Sequence, residues 1–358
     1  MNKPLLIVLS IITLDSAGIG LIFPILPSLL REVIGTGEVS LAYGALLALY
    51  AFMQFVFSPA LGALSDRYGR RPVLLISIAG AAVDYLVMAA SPLYWVLLVG
   101  RAIAGITGAI WRSPPPTSPT SRLDDQRARR FGYVSACFGV GFILGPALGG
   151  LLGQWWLRAP FVAAALLNGA NLVLVYLLLP ESRTITRTKL DLRALNPLAP
   201  LRWAFSLSAL LPLVLIFGLY ALIGNIPGTI WVLYGQDRFQ WDTFTVGLSL
   251  AAFGVSHAVA QAFITGPLTA RFGEVRTIVI GVVFDSLAFL SIALATKGWM
   301  AFALAPIFAL GGVGLPALQS LMANQVAGDR QGALQGVLAS ANGLTAILGR
   351  SSARRSTR

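Results

Sequence analysis

Cysteine and histidine occur once each (Cys137 and His257), and lysine three times (Lys3, Lys189 and Lys297), in a chain of 358 residues. A single cysteine excludes a disulfide framework, and with a single histidine it excludes a zinc cluster or an iron–sulfur site. No lysine stands in a G-x-x-x-x-G-K-[ST] loop, so the chain lacks the phosphate cradle of an ATP-hydrolysing P-loop. No nucleophile–base pair presents itself either, and an enzyme is not expected. Charge is scarce as well. Only 11% of residues are charged while 56% are hydrophobic, whereas a soluble domain carries about 25% charged residues. The first apolar run has no small-residue cleavage site before its end, so no removable signal segment is expected.

What is abundant is long apolar sequence. A membrane-crossing helix takes about 20 apolar residues. Runs of this kind lie at 4–29, 41–62, 73–91, 93–110, 131–152, 160–180, 206–226, 245–267, 277–296, 299–318 and 332–349, the last interrupted by Gln335, Ser340, Asn342 and Thr345. The expected fold is an all-α polytopic membrane protein with about eleven spans present. A polar, basic connection at 181–205 divides the runs six and five. The expected domains are an N-terminal transmembrane half at 1–180, a cytoplasmic linker at 181–205 and a C-terminal transmembrane half at 206–358. Many secondary transporters have this layout.

The net charge of +12 would fit a nucleic-acid binder if the basic residues formed one surface. They do not. With the N-terminus placed inside, 17 Lys and Arg side chains fall on the inner side and 4 (Arg31, Arg158, Arg238 and Lys297) on the outer. This is the positive-inside pattern. It accounts for the basic balance with no nucleic acid, and it sets a multi-pass protein in membrane lipid with a cytoplasmic N-terminus. Nothing in the sequence sets the oligomeric state.

The turn after the second run reads Gly62-Ala63-Leu64-Ser65-Asp66-Arg67-Tyr68-Gly69-Arg70-Arg71-Pro72. The turn after the eighth reads Gly266-Pro267-Leu268-Thr269-Ala270-Arg271-Phe272-Gly273-Glu274-Val275-Arg276. Both fit G-x-L-x-x-R-[YF]-G, at a constant offset of 204 residues. Two unrelated basic turns are the alternative, but matching positions in equivalent loops favour an internal duplication. Ala270 stands in the second copy where Asp66 stands in the first. Pro72 suits the start of a helix, and Asp66 and Arg70 would pair if the segment between them were helical.

Five ionisable groups fall inside apolar runs: Asp15, Asp84, Arg101, His257 and Asp285. Such a group costs about 2.5–3.5 kcal/mol at mid-bilayer on insertion scales and is a functional candidate by default. One arginine cannot neutralise three acids, so at least one carboxylate is expected to line a wet cavity and exchange protons. The alternative for each acid is a structural pair, such as an aspartate with Arg101. His257 fits packing nearly as well as function. It shares a helix face with Gly254 and Gln261, and a similar polar stripe runs through Tyr43, Tyr50, Gln54 and Ser58. Such stripes face an interior, as a substrate path or as contact between helices. From the residues alone the expectation is a proton-coupled transporter.

Further motifs are Arg101-x-x-x-Gly105-x-x-Gly108 in the fourth run and Gly139-x-Gly141-x-x-x-Gly145-Pro146-x-x-Gly149-Gly150 in the fifth, with Leu179-Pro180-Glu181-Ser182-Arg183 closing the sixth. Physically, Gly141 and Gly145 make a close-packing face and Pro146 a kink. With the 62–72 loop, these motifs resemble the major facilitator superfamily. The resemblance implies two pseudo-repeated helical halves that rock about a central cavity. It implies a cytoplasmic latch at Gly62, Asp66, Arg67, Gly69, Arg70 and Arg71. It also implies the helix motif of drug–proton antiporters at Gly141, Gly145, Pro146, Gly149 and Gly150.

Asp15, Gly62 to Pro72, Asp84, Arg101, Ser135 to Gly150, His257 and Asp285 together resemble the bacterial tetracycline efflux antiporters over most of the chain. That resemblance implies export of a tetracycline–divalent-cation complex, with magnesium as such a cation, against proton entry across the bacterial inner membrane, conferring resistance. The cation would travel with the drug, and no bound cofactor or protein metal site is implied. Asp15, Asp84, Asp285, His257 and Arg101 would serve proton coupling, and Gln54 and Gln261 would line the substrate path. Another drug exporter or a symporter of the superfamily is the alternative.

Two segments depart from the family pattern. Residues 111–122 hold four prolines and cannot continue a spanning helix. An alanine-rich coding stretch read out of frame would give this composition; a true proline-rich loop is the alternative. After Gly349 the chain ends in nine residues that include Arg350, Arg354, Arg355 and Arg358, where the family would continue into a twelfth span. On this reading the C-terminal half is incomplete, and a non-functional, frame-shifted product is a further alternative.

Overall fold

The structure is a computed structural model that describes residues 3–36, 38–108, 124–178, 196, 202, 204–205, 207, 210–326 and 331–352. Within these, the side chains at 3–8, 62–63, 66–67, 70, 124–136, 138, 225–229, 331–333 and 347–352 lie outside the description. Helices and short connections make up the described residues, and no strand occurs among them. The all-α class expected from the apolar runs is what the structure shows. The chain divides into two compact units, Met1–Pro197 and Leu198–Arg358. The 111–122 segment, most of 181–205 and residues 353–358 lie outside the described residues.

The first unit contains α1 (Lys3–Ile22), α2 (Leu26–Ile34), α3 (Ser40–Tyr68), α4 (Arg70–Ala90), α5 (Tyr94–Thr107), α6 (Asp124–Trp155) and α7 (Ala159–Leu178). The run at 4–29 is not one straight helix: α2 departs from α1 by 46°. Pro24 lies in the break, where it has no N–H to give and its ring opposes the carbonyl one turn back. The Phe23 and Ile25 amides turn to the Gly20 and Ile22 carbonyls instead, at 3.3 and 3.2 Å. Helix α1 lies along α6 and α7, and α4 along α5 and α7. The glycines of α6 explain the first contact. A Cβ on Gly145 would stand 2.7 Å from the Ala17 carbonyl oxygen and 2.8 Å from Gly20 Cα, and Gly141 and Gly149 face Ser16 and Leu21 just as closely. The close-packing face read from the sequence holds the backbone of α1.

The second unit contains α8 (Leu211–Phe239), α9 (Thr243–Val259), a π-helical turn at Ala260–Ile264, α10 (Thr265–Leu294), α11 (Gly298–Gly311), α12 (Gly314–Asn324) and α13 (Gln331–Ser352). The run at 206–226 belongs to a helix that continues to Phe239, and the run at 299–318 is broken between α11 and α12. Val214 and Phe217 of α8 pack with Leu318 and Met322 of α12 and with Leu334, Val337 and Leu338 of α13. That packing explains why the last run is helical despite its polar interruptions. Trp231, Tyr234, Phe239, Trp241 and Phe308 gather around Ile292, Ala295 and Ala301 at the opposite end of α8 and α10.

Among the described residues, five helical stretches are long and apolar enough to cross a membrane: Ser40–Leu61, Arg71–Ala90, Ala159–Leu178, Thr243–Leu294 and Gly298–Asn324. The bent pair of α1 and α2 makes a sixth. Tyr94–Thr107 and Leu211–Gly224 are apolar but shorter.

The two copies of the repeated turn are bent in the same way. Gly69, between α3 and α4, has φ 96° and ψ 161°, and Gly273, inside α10, has φ 78° and ψ 168°. Gly69 therefore interrupts the helix between Asp66 and Arg70, so the helical spacing that would pair them is absent. The side chains of Asp66, Arg67 and Arg70 lie outside the described residues.

Candidate functional site

In the first unit the polar groups converge on Arg101. Helix α5 carries Arg101 into the interior, where it is 5% exposed, and α4 presents Asp84, which is 1% exposed. The two form an ion pair through Arg101 Nη2 and Asp84 Oδ2, and Arg101 Nε donates to Asp84 Oδ1 at 3.3 Å. Gly100 makes the room: a Cβ there would stand 2.8 Å from Asp84 Oδ1. The guanidinium also lies over two rings, 5.4 Å from that of Tyr50 and 5.9 Å from that of Tyr85. A buried charge so enclosed has its ionic partner and its aromatic faces together. The pairing alternative left open by the sequence is the arrangement that Asp84 adopts.

Gln54 of α3 extends this cluster. Its Nε2 donates to the Gly108 carbonyl at 3.1 Å and to Tyr50 Oη at 3.4 Å. Gly105 lets α5 approach α3, since a Cβ there would lie 2.6 Å from the Tyr50 carbonyl oxygen. The glycines of the fourth-run motif thus seat Arg101 and Gln54. Asp15, half-buried on α1, is an electrostatic neighbour of Tyr85. No hydrogen bond or ion pair joins Asp15 to another described residue.

In the second unit the polar groups converge on a broken helix. Gly312 and Val313 separate α11, which ends at Gly311, from α12, and a break of this kind leaves backbone carbonyls without helical donors. Side chains from four other helical segments meet it. Tyr220 Oη of α8 donates to the Gly311 carbonyl at 3.1 Å. Gln261 Nε2, in the π-helical turn, donates to the Gly312 carbonyl at 3.0 Å. Asp285 of α10 lies against Gly311, and His257 of α9 against Gly312, where a Cβ would be 2.8 Å from Nδ1. Tyr220 and Asp285 thus lie side by side at Gly311. His257 stacks on Phe253 with ring centroids 5.6 Å apart, and its Nδ1 is buried with no hydrogen-bond partner among the described residues.

The family model described as the Major Facilitator Superfamily matches residues 8–350. The chain belongs to that superfamily. A class G tetracycline resistance protein of Vibrio anguillarum is 50% identical over 349 residues, covering 98% of this chain and 89% of that protein. A class C tetracycline resistance protein of Escherichia coli is 49% identical over 348 residues, covering 97% and 88%. Among solved structures, a peptide transporter, POT, in complex with sulfate aligns with a TM-score of 0.80 at 14% identity, covering all of this chain and 89% of that one. The human organic anion transporter MFSD10 aligns with a TM-score of 0.72 at 24% identity, covering 98% and 92%. At such identities these structures share the fold alone.

In this major facilitator chain, each copy of the repeated turn reaches its neighbours through a side chain just after its glycine. Arg71 donates to the Tyr176 carbonyl at the end of α7, and its guanidinium lies 5.7 Å from the Tyr176 ring. In the second copy, Glu274 accepts from Ser320 Oγ at 3.0 Å and Asn324 Nδ2 at 2.9 Å, both on α12. Each turn is therefore tied to a helix end within its own unit.

The structure brings Asp84, Arg101 and Gln54 into one cluster and Asp285, His257 and Gln261 into another. Tyr50, Tyr85, Tyr220 and the break at Gly311–Gly314 complete them, and sequence reading gave the last three no role. The Gly-Gly-x-Gly run at 311–314 is the signal that would have found the break, because two adjacent glycines weaken a helix and broken spans place polar backbone at transport sites. Tyr85 and Tyr220 carry no such mark.

Proposed function

We propose that this protein is a proton-coupled antiporter that exports tetracycline, as its complex with a divalent cation such as magnesium, from the cytoplasm of a bacterium. It would lie in the inner membrane with its N-terminus cytoplasmic and confer resistance to the drug. The cation is cargo. One observation carries the coupling: Arg101 is claimed by Asp84, while Asp15 and Asp285 have no cationic partner among the described residues. Acids of this kind within a membrane exchange protons with a wet path. Asp285 is the site we assign to coupling in the second unit, with His257 beside the same break, and Asp15 in the first, beside the Asp84–Arg101 pair. Gln54 and Gln261 serve the substrate path, where each also fixes a glycine carbonyl. The substrate is taken from the relatives, whose names specify tetracycline resistance at about half identity over nearly the whole chain.

The test is drug-dependent proton release from energised everted vesicles that contain this chain, with magnesium and tetracycline added and membrane levels matched by blot. Release is expected with the parent chain and is expected to vanish in Asp285→Asn. Undiminished release in that variant overturns the coupling assignment. Release evoked by other drugs but not by tetracycline overturns the substrate.

A further inference from the structure

The Tyr220 hydroxyl holds one hydrogen and faces two acceptors. One is the Gly311 carbonyl, to which it donates at 3.1 Å. The other is the carboxyl of Asp285, which lies against the same glycine. The position is enforced by three missing side chains, since a Cβ on Gly281 would lie 2.8 Å from Tyr220 Oη, and one on Gly311 or Gly314 would meet Asp285 or Tyr220. We infer that Tyr220 is a positioning residue that passes the protonation state of Asp285 to the helix break at Gly311–Gly314.

The chemistry follows from counting hydrogens. An ionised carboxylate is an acceptor only, and a charge-assisted bond is the stronger claim on a phenol hydrogen. With Asp285 ionised, the hydroxyl turns to the carboxylate and the Gly311 carbonyl loses its donor. With Asp285 protonated, the carboxylic acid donates to Tyr220 Oη, and the hydroxyl is free to hold Gly311. The break is thus bonded by α8 in one protonation state and released in the other. On its far side Gln261 keeps hold of Gly312 in both, so the change is confined to one carbonyl.

Among the described residues, the groups that face the break are few. Helix α8 brings Tyr220, α10 brings Asp285, α9 brings His257 and the π-helical turn brings Gln261. Helices α11 and α12 carry no ionisable side chain. His257 meets Gly312 rather than Gly311, so its own titration acts on the neighbouring residue.

The inference rests on the antiporter reading, yet its test needs neither drug nor gradient, so the two fail separately. Amide hydrogen exchange is followed over residues 308–318 in the purified chain across a pH series, after correction for the chemical exchange rate. Loss of a single hydrogen bond predicts an acceleration of about fivefold at high pH relative to low pH in the parent. Tyr220→Phe, which keeps the ring and removes the hydroxyl, is expected to flatten the profile at the fast limit. Asp285→Asn, whose amide can donate as the acid does, is expected to flatten it at the slow limit. A Tyr220→Phe chain with the parent's profile overturns the inference. Should Tyr220→Phe fail to accumulate, an Asp285→Asn chain with the parent's profile overturns it as well.

Discussion

Gly69 and Gly273 stand 204 residues apart in the sequence and hold nearly the same backbone, φ 96° and ψ 161° against φ 78° and ψ 168°. The two turns share a bend that only glycine reaches comfortably, although Ala270 stands in the second where Asp66 stands in the first. Gly273 has no heavy atom within 4 Å of where a Cβ would sit. Replacing it therefore isolates backbone strain from crowding. Gly273→Ala is expected to destabilise the protein by about 1–3 kcal/mol. Gly273→Asn is expected to do no better, because this region is not the left-handed helical well that asparagine tolerates. Thermal unfolding in detergent, read side by side for the two variants, checks both statements. An asparagine variant as stable as the parent would refute the strain account.

That bend was legible in the sequence because two loops could be compared at a fixed offset. The same holds for much of the fold. The apolar runs that mark helices are dictated by the thickness of lipid, and each overlaps a helix of the structure. The interruptions of those helices were harder to read. Pro24 breaks the first run through a steric rule that length alone does not display, and the tenth breaks at Gly312–Val313, where Pro316 one turn on has no N–H for the Gly312 carbonyl. The acids stood out because charge is costly in an apolar run. Their partners did not. Which acid takes Arg101 depends on how α4 and α5 are set, and the position of Tyr220 beside Asp285 depends on the packing of α8 against α10 and α12. A tyrosine in an apolar helix is unremarkable until its hydroxyl is located.

The buried pair of Asp84 and Arg101 makes a prediction in which the single and double variants diverge. Removing Arg101 strands a carboxylate that is 1% exposed. Arg101→Ala is expected to cost about 3–5 kcal/mol, because the loss is that of an uncompensated buried charge. Replacing both members with apolar side chains of similar size, Asp84→Leu with Arg101→Met, removes the charge altogether. The double variant is expected to recover most of the membrane level lost in Arg101→Ala. Quantitative blots of the membrane fraction decide it, and an Arg101→Ala chain as abundant as the parent would contradict the pairing.

Two glycines of the α6 motif are expected to behave oppositely. Gly139 has nothing within 4 Å of an added Cβ. Gly145 faces backbone on α1 at 2.7 and 2.8 Å, and backbone cannot swing aside as a side chain can. Gly139→Ala should be neutral or slightly stabilising, since alanine favours the helix. Gly145→Ala should overpack the contact and cost about 1–3 kcal/mol. Melting curves of the two variants, with the parent alongside, provide the comparison. Equal losses at both positions would mean that the glycines act by flexibility rather than by the approach of α1.

Gln54 and Gln261 perform the same task in the two units. Each donates to the carbonyl of a glycine at the end of a helix, Gly108 at 3.1 Å and Gly312 at 3.0 Å, and these two glycines are themselves related by the offset of 204 residues. Their surroundings differ. Gln54 is 9% exposed and is bonded to Tyr50 beside the Arg101 pair, whereas Gln261 is half-buried in a π-helical turn, with Thr265 Oγ1 donating to its Oε1 at 3.3 Å. Gln54→Leu should therefore act chiefly on stability, costing about 1–3 kcal/mol for a carbonyl left without its donor. Gln261→Leu loosens the break next to Asp285 and His257, where water can partly replace the lost donor. Its stability should change little, while drug-dependent proton release at matched membrane level falls about fivefold, the scale of one hydrogen bond. A Gln261→Leu chain that unfolds as readily as Gln54→Leu, yet transports normally when folded, would show that the glutamine serves packing alone.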